Sequence, residues 1–207
     1  MFSLVVGLGL FAWLKPPKAP GHTVPVSAHK AATAQALKVM REGKTLAVLG
    51  TGAIGSHVAM LARAFGMTVE TWSARKNTVA QREALLSRAD FVSLHVRLAD
   101  ATRGFIGTRE FALMKKEAIL VNTGRGALVD RDALHAALAS GRIAGAGLDV
   151  FHDEPLKSGD PILGFSNTVL SPHNAGQTPE VRRDGLLLAV QNVERFLAGT
   201  PQNVVSV

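Results

Sequence analysis

The sequence predicts an α/β protein: a doubly wound parallel sheet covered by helices, with an apolar helix at its N-terminus. Three observations predict it. Short apolar runs alternate with amphipathic ones from residue 43 onward, the pattern of strand–helix–strand crossovers and so of parallel pairing. Apolar side chains make up 47% of the 207 residues and aromatics only 5%, a supply of small and branched groups that suits strands buried on both faces. A glycine-rich stretch, "GTGAIG", falls where the first strand meets the first helix. The length allows one large domain or two small ones.

The elements follow in order. Residues 2–14 are an apolar run, shorter than the roughly 20 residues a membrane-spanning helix needs. The run also lacks the basic leader and cleavage site of a secretory signal, so it reads as a helix buried against a partner and not as a membrane anchor. "KPPKAPGHTVP" must be irregular, and residues 31–41 are a polar helix candidate. "TLAVLG" is a short strand. "IGSHVAMLARAFG" places Ile54, Val58, Leu61, Ala62 and Phe65 on one helical face, with Gly66 to stop it. "MTVETWS" is strand-like, "VAQREALLSRAD" helical and "FVSLHV" a strand. "TREFALMKK" is a helix and "AILVNTG" a strand. "DRDALHAALASG" is a helix with Asp130 as N-cap and Gly141 as its stop. "AGAGLDV" and "TVLSPH" are two more strands. A last helix runs over residues 178–198, with Pro179 at its first position.

Composition removes several function classes. There is no cysteine, so disulfides, thiolate nucleophiles and cysteine metal sites are excluded, and a reducing, cytoplasmic setting is expected. No metal site is expected. The formal charge is +7, but the cations are scattered and no aromatic-interleaved basic stretch occurs. Neither nucleic acid nor a membrane is the expected partner.

In parallel sheets, ligands bind beyond the carboxyl ends of the strands. Those ends are Gly50, Ser73, Val96, Thr123, Asp149 and His173. "GTGAIG" supplies Gly50, Gly52 and Gly55, with Ala53 and Ile54 between them. The first glycine permits the tight turn, the second admits a pyrophosphate, and the third lets helix and strand pack closely. Free N–H groups of the helix then face the phosphates. This is a Rossmann-type dinucleotide site, and residues 43–176 form its domain. Residues 1–42 are a helix and linker, and residues 177–207 a C-terminal helix and tail. The end of the second strand selects the dinucleotide. Glu70 lies mid-strand; Ser73, at the end, is neutral and is followed by Arg75 and Lys76. Cations there favour a 2′-phosphate, so NADP(H) is expected over NAD(H).

With such a cofactor the expected chemistry is hydride transfer. Carbonyl reduction needs a proton donor, a group to orient the substrate and a group to tune the donor. "VNTGRGALVD", "GAGLDVFHDEP" and "SPHNAG" present Arg125, Glu154 and His173 at or beyond successive strand ends. His57, His135 and His152 have no such setting and read as surface or packing residues. His95 and Val96, ending "FVSLHV", are expected to line the cofactor side.

Taken together, "GKTLAVLGTGAIG", "ADFVSLHV", "LMKKEAILVNTGRGALVD", "GAGLDVFHDEP", "SPHNAGQT" and "NVERFLAGTPQNVV" make the chain resemble the D-isomer-specific 2-hydroxyacid dehydrogenases, glyoxylate/hydroxypyruvate reductases among them. The resemblance runs from Gly43 to the C-terminus. It implies a small 2-keto or 2-hydroxy acid as substrate and a homodimer. Arg125 matches the arginine that holds the substrate carboxylate and polarises the keto oxygen. His173 matches the general acid, and Glu154 the carboxylate that orients its ring. Asp149 matches the aspartate near the nicotinamide carboxamide. Thr123, Gly124, Ala175 and Gly176 match cofactor-lining positions. A non-catalytic dinucleotide sensor or scaffold of the same fold is the alternative.

The match departs from the family in three places. The family's substrate domain, formed mostly from its first hundred or so residues, has no counterpart, so cofactor binding with weak turnover is expected of the chain alone. Between Ser73 and Asp90 the chain is too short for the family's third strand. The family's proline after "LHV" is Arg97 here.

Overall fold

A computed structural model describes residues 43–176 and 178–204. The expected apolar helix at residues 2–14 and polar helix at residues 31–41 lie outside the described residues. The sheet is parallel throughout. Its strands are β1 (Thr45–Leu49), β2 (Thr68–Trp72), β3 (Phe91–Leu94), β4 (Ile119–Asn122), β5 (Gly145–Leu148) and β6 (Thr168–Leu170), in the order β2-β1-β3-β4-β5-β6. Helices α1 (Ala53–Ala64), α2 (Val79–Arg88), α3 (Thr108–Leu113) and α4 (Arg131–Ala139) connect them. The α/β parallel architecture expected from the sequence is present.

Strand period explains the two cores. In β1, Leu46 and Val48 pack toward α1 with Val58, Ala59 and Ala62. Ala47 and Leu49 face the other side, with Leu85 and Leu86 of α2, Phe111 of α3 and Leu134 and Leu138 of α4. Both faces are apolar because helices cover both. The helix stops and caps follow their chemistry. Thr78 and Gln81 form a reciprocal capping box at α2, and the Asp130 carboxylate accepts from the Ala133 N–H at 2.8 Å to open α4. Gly66 and Gly141, just beyond α1 and α4, take the left-handed φ values of +83° and +62° that a side chain resists.

Several sequence expectations are corrected. Ile54 and Phe65 are about half exposed, at 52% and 50%. The buried stripe of α1 is Gly55, Val58, Ala59 and Ala62, because only small residues fit this close to the sheet. Helix α3 ends at Leu113, well short of the two lysines. Strands β3 to β6 each end one to three residues before the expected ends, so those ends are loop residues beyond the sheet.

No strand lies between Ser73 and Asp90. The chain goes directly from β2 through α2 to β3, on the opposite side of β1. That leaves β2 at the sheet edge, where the Arg88 guanidinium grips both oxygens of Glu70, Nε to Oε1 at 2.6 Å. At the carboxyl end of β2, Trp72 packs on Phe105 with ring centroids 5.5 Å apart. The Arg82 guanidinium lies 4.4 Å from the Phe105 ring and bonds Glu110 at 2.9 Å.

The described residues divide into two compact units, one ending at His173 and one starting at Asn174. The second contains α5 (Pro179–Leu197), capped by Thr178, with Pro179 at its start as expected. Its Leu186, Val190, Val193 and Leu197 recur at helical spacing and are 57–78% exposed. Among the described residues, no helix is long and apolar enough to cross a membrane.

Asp90 anchors the amino end of the sheet. It accepts from the Thr45 N–H at 2.8 Å and from Lys115 Nζ at 3.0 Å. Burial pushes its carboxyl up, but the Thr45 N–H, Lys115 and Lys44 outweigh that and hold it below the ordinary range. Its stabilising contribution is therefore present above the unfolded value of about 4 and is lost as pH falls through the lower folded value. Asp90→Asn is expected to cost about 1–2 kcal/mol at pH 7, measured by urea unfolding. The difference from wild type should narrow in acid; an equal difference at pH 7 and pH 3 counts against this assignment.

Candidate active site

The glycine loop is built by close approach. Gly50 has φ +111°. A Cβ there would stand 2.6 Å from the Val96 nitrogen and would also meet the His95 carbonyl. The Gly50 N–H donates to the Trp72 carbonyl at 2.8 Å. The turn is thus wedged between the ends of β2 and β3. A Cβ at Gly55 would run into the Gly50 carbonyl oxygen, so this glycine sets how closely α1 meets the strand. Gly52 differs: nothing lies within 4 Å of where its Cβ would be. The N-terminus of α1, with Ala53 and Ile54 in its first turn, carries neither a side-chain cap nor an acidic residue. An open backbone approach and uncapped N–H groups fit a pyrophosphate.

Ser73 begins a tight turn after β2. Its N–H is held by Asn77 Oδ1 at 3.0 Å, and its carbonyl accepts from Lys76 and Asn77. The turn displays Arg75 and Lys76, both exposed and in no ion pair among the described residues. Glu70, the competing acidic residue, is held at the sheet edge by Arg88, whose hydrogen bond lowers its pKa. At the end of β3, the His95 and Val96 backbone borders Gly50. The His95 ring bonds back to Ser93 Oγ at 2.9 Å, and burial lowers its pKa to about 4. The imidazole is therefore neutral near pH 7.

Beyond β4, β5 and β6 lie the three candidate catalytic residues. Asn122, at 1% exposure, holds the turn after β4: its Oδ1 accepts from the Gly124 N–H and its Nδ2 donates to the Arg125 carbonyl. Thr123 and Gly124 form that turn. The exposed Arg125 guanidinium rests on the Gly124 carbonyl at 2.6 Å. Gly126 lies flat against the next loop; a Cβ there would be 2.6 Å from the His152 nitrogen. In that loop the Phe151 N–H donates to Glu154 Oε1 at 2.8 Å, and Glu154 Oε2 meets His173 Nδ1 at 2.6 Å. Burial raises the Glu154 carboxyl; the His173 and Phe151 hydrogen bonds outweigh this, with the charges of His173 and Arg125 adding to them, so it titrates below its ordinary value. A carboxylate only accepts, so Nδ1 carries the hydrogen in this bond. Asp149, 2% exposed, accepts from Ser171 Oγ at 2.5 Å. An open cleft of about 390 Å³ is lined by Glu154, Pro155, Leu170, Ser171 and His173 among others.

The structure thus brings Glu154 and His173 into contact and holds Arg125 near them. Ala175 and Gly176 belong to the second unit. His57 is exposed, and His135 packs its ring 5.7 Å from Phe165. No group of three or more side chains suited to a metal occurs among the described residues. Sequence reasoning missed Asn122, Gly126 and Ser171. Each sits within two residues of a candidate, and a polar or glycine residue at a strand end was the available signal.

The family model for "D-isomer specific 2-hydroxyacid dehydrogenase, NAD binding domain" matches residues 22–175. A glyoxylate reductase of Aeropyrum pernix is 46% identical over 180 residues, 82% of this chain and 54% of that protein. An acyclic imino acid reductase solved with NADPH and D-Arg superposes with a TM-score of 0.72 at 35% identity, covering 80% of this chain and 54% of that one. A D-isomer specific 2-hydroxyacid dehydrogenase of Lactobacillus delbrueckii ssp. bulgaricus, solved with NAD, gives 0.70 at 31% identity, covering 79% and 56%. The chain spans about half the length of the curated relatives it matches.

The packing of Gly55 on Gly50 yields a direct expectation. Gly55→Ala should displace α1 and weaken dinucleotide binding at least about tenfold, the equivalent of 1.4 kcal/mol. Gly52→Ala, with open space at its Cβ, should leave the thermal unfolding temperature unchanged. Calorimetric titration and thermal melts of both variants check this. Wild-type binding by Gly55→Ala would contradict the packing role.

Proposed function

The chain belongs to the D-isomer specific 2-hydroxyacid dehydrogenase family and carries its NAD-binding domain; on that premise we propose that it serves hydride exchange between a nicotinamide dinucleotide, preferentially NADP(H), and a small 2-keto or 2-hydroxy acid of the glyoxylate or hydroxypyruvate type. The observation that carries the reading is the 2.6 Å bond between His173 Nδ1 and Glu154, with Arg125 close enough to act on the same carboxylate.

Bound at the glycine loop, the dinucleotide supplies or accepts the hydride. The chain's residues do the rest. Gly50, Gly52 and Gly55 admit the pyrophosphate, and Ala53 and Ile54 place the α1 N-terminus against it. Thr123, Gly124, Val96 and His95 would contribute backbone along the cofactor, and Asp149 would serve its carboxamide end. The Arg125 fork pairs with the substrate carboxylate. Glu154 stays ionised at neutral pH and holds Nδ1–H of His173, so the proton delivered to the keto oxygen leaves from Nε2. In the oxidative direction Nε2 takes that proton back. Ser73, Arg75 and Lys76 favour the 2′-phosphate: Ser73 is neutral where a carboxylate would repel it, and neither cation is in an ion pair among the described residues.

Loss of a general acid costs about a hundredfold or more. His173→Asn should therefore lower the rate of NADPH oxidation with glyoxylate or hydroxypyruvate by that factor and leave NADPH affinity intact. Equal rates in wild type and His173→Asn would overturn the assignment. Arg75→Ala should weaken NADPH and not NADH in a binding titration; unchanged NADPH affinity would remove the 2′-phosphate argument.

A further inference from the structure

Resting on the dinucleotide site described above, we propose that Arg97 is a third cation for the cofactor 2′-phosphate, closing on it from the side opposite Arg75 and Lys76 and so helping to set NADP(H) preference.

The topology places it there. Strands β2 and β3 flank β1, so their ends stand about 10 Å apart, two strand spacings. Gly50 touches both: it bonds the Trp72 carbonyl on one side, and its missing Cβ makes room for the His95 and Val96 backbone on the other. Arg75 and Lys76 follow the first strand end by a few residues, and Arg97 follows the second. A sugar attached to phosphates at the glycine loop would sit at the β2 end, about two strand spacings from the loop that carries Arg97. Among the described residues β2 is the edge strand on this side, so the loops after β2 and β3 are the described segments nearest that sugar.

Charge accounting sets Arg97 apart from four arginines of the unit; Arg63, Arg103 and Arg142 are likewise in no ion pair among the described residues, and of these Arg97 is the one that directly follows the end of β3. Arg82 is paired with Glu110, Arg88 with Glu70, Arg109 with Glu83 and Arg131 with Asp153. Arg97 is exposed and in no ion pair among the described residues, and Asp100, three positions on, does not pair with it. Its backbone is nevertheless fixed. The Thr102 hydroxyl donates to the Arg97 carbonyl at 2.7 Å and accepts from the Ala99 N–H at 2.8 Å. A side chain presented from a pinned backbone loses less freedom on binding than one on a loose loop. A guanidinium also offers several N–H donors in a fork that matches phosphate oxygens.

The experiment is calorimetric titration of the full chain with NADPH and with NADH, in wild type, Arg97→Ala and Arg97→Glu, with thermal melts to show that each variant folds. Arg97→Ala should weaken NADPH at least about fivefold and leave NADH unchanged, and Arg97→Glu should weaken NADPH further. Equal loss for both dinucleotides would overturn the 2′-phosphate contact, as would no loss for either. If wild type bound neither dinucleotide, the functional reading itself would fall. If wild type bound NADPH and only the Arg75→Ala variant lost affinity, the reading would stand and Arg97 alone would be excluded.

Discussion

The backbone of Gly50 is wedged between the ends of β2 and β3, and the cofactor side of the molecule is built around that contact. The residue turns the chain at φ +111° and accepts a neighbour's backbone where a Cβ would stand. Gly55 then packs α1 onto Gly50 itself. The small residues Ala59 and Ala62 continue the same approach along the helix. One steric requirement thus fixes three things: the height of α1 above the sheet, the direction of its free N–H groups, and the spacing of the loops after β2 and β3. None of these needs a strong interaction. They need the absence of side-chain atoms at two positions.

The second half of the site depends on contacts between loops. Asn122 closes its own turn and places Arg125. Gly126 lets that turn lie against the Phe151–His152 backbone, and the Phe151 N–H orients Glu154. Ser171 joins β6 to the buried Asp149 of the β5 end. A buried carboxylate is costly unless its oxygens are hydrogen-bonded, so Ser171 stabilises Asp149 and at the same time ties the strand that leads to His173. The three loops are therefore linked to one another through these contacts.

Much of this was legible in the sequence because its signals are local. Period-two and helical apolar patterns, the cap at Asp130, Pro179 at the start of the last helix, and glycine stops at Gly66 and Gly141 are each decided within a few residues. The order of Arg125, Glu154 and His173 behind the glycine loop was legible too, since parallel topology brings successive strand ends together. What was not legible depends on distance in the sequence. Ile54 and Phe65 look like core residues by period, yet the sheet admits only the small side chains beside them. The bond of the His95 ring to Ser93, two residues back, is also not signalled by the pattern. Asn122 and Ser171 look unremarkable until burial shows that each polar group has one specific task.

The His173 loop shows how nearly balanced the site is. His173 adopts φ +49°, a left-handed conformation that costs a side chain roughly 1–2 kcal/mol. Its bond to Glu154 is charge-assisted, a class worth about 1.5–3 kcal/mol when well shielded. Here the two side chains are 42% and 34% exposed, and water screening reduces such a pair toward about 1 kcal/mol. Strain and bond are then of similar size. Any surface that covers the cleft and removes water from this pair strengthens the bond without changing the strain. Cover over the cleft would therefore tighten the His173–Glu154 geometry at no added backbone cost.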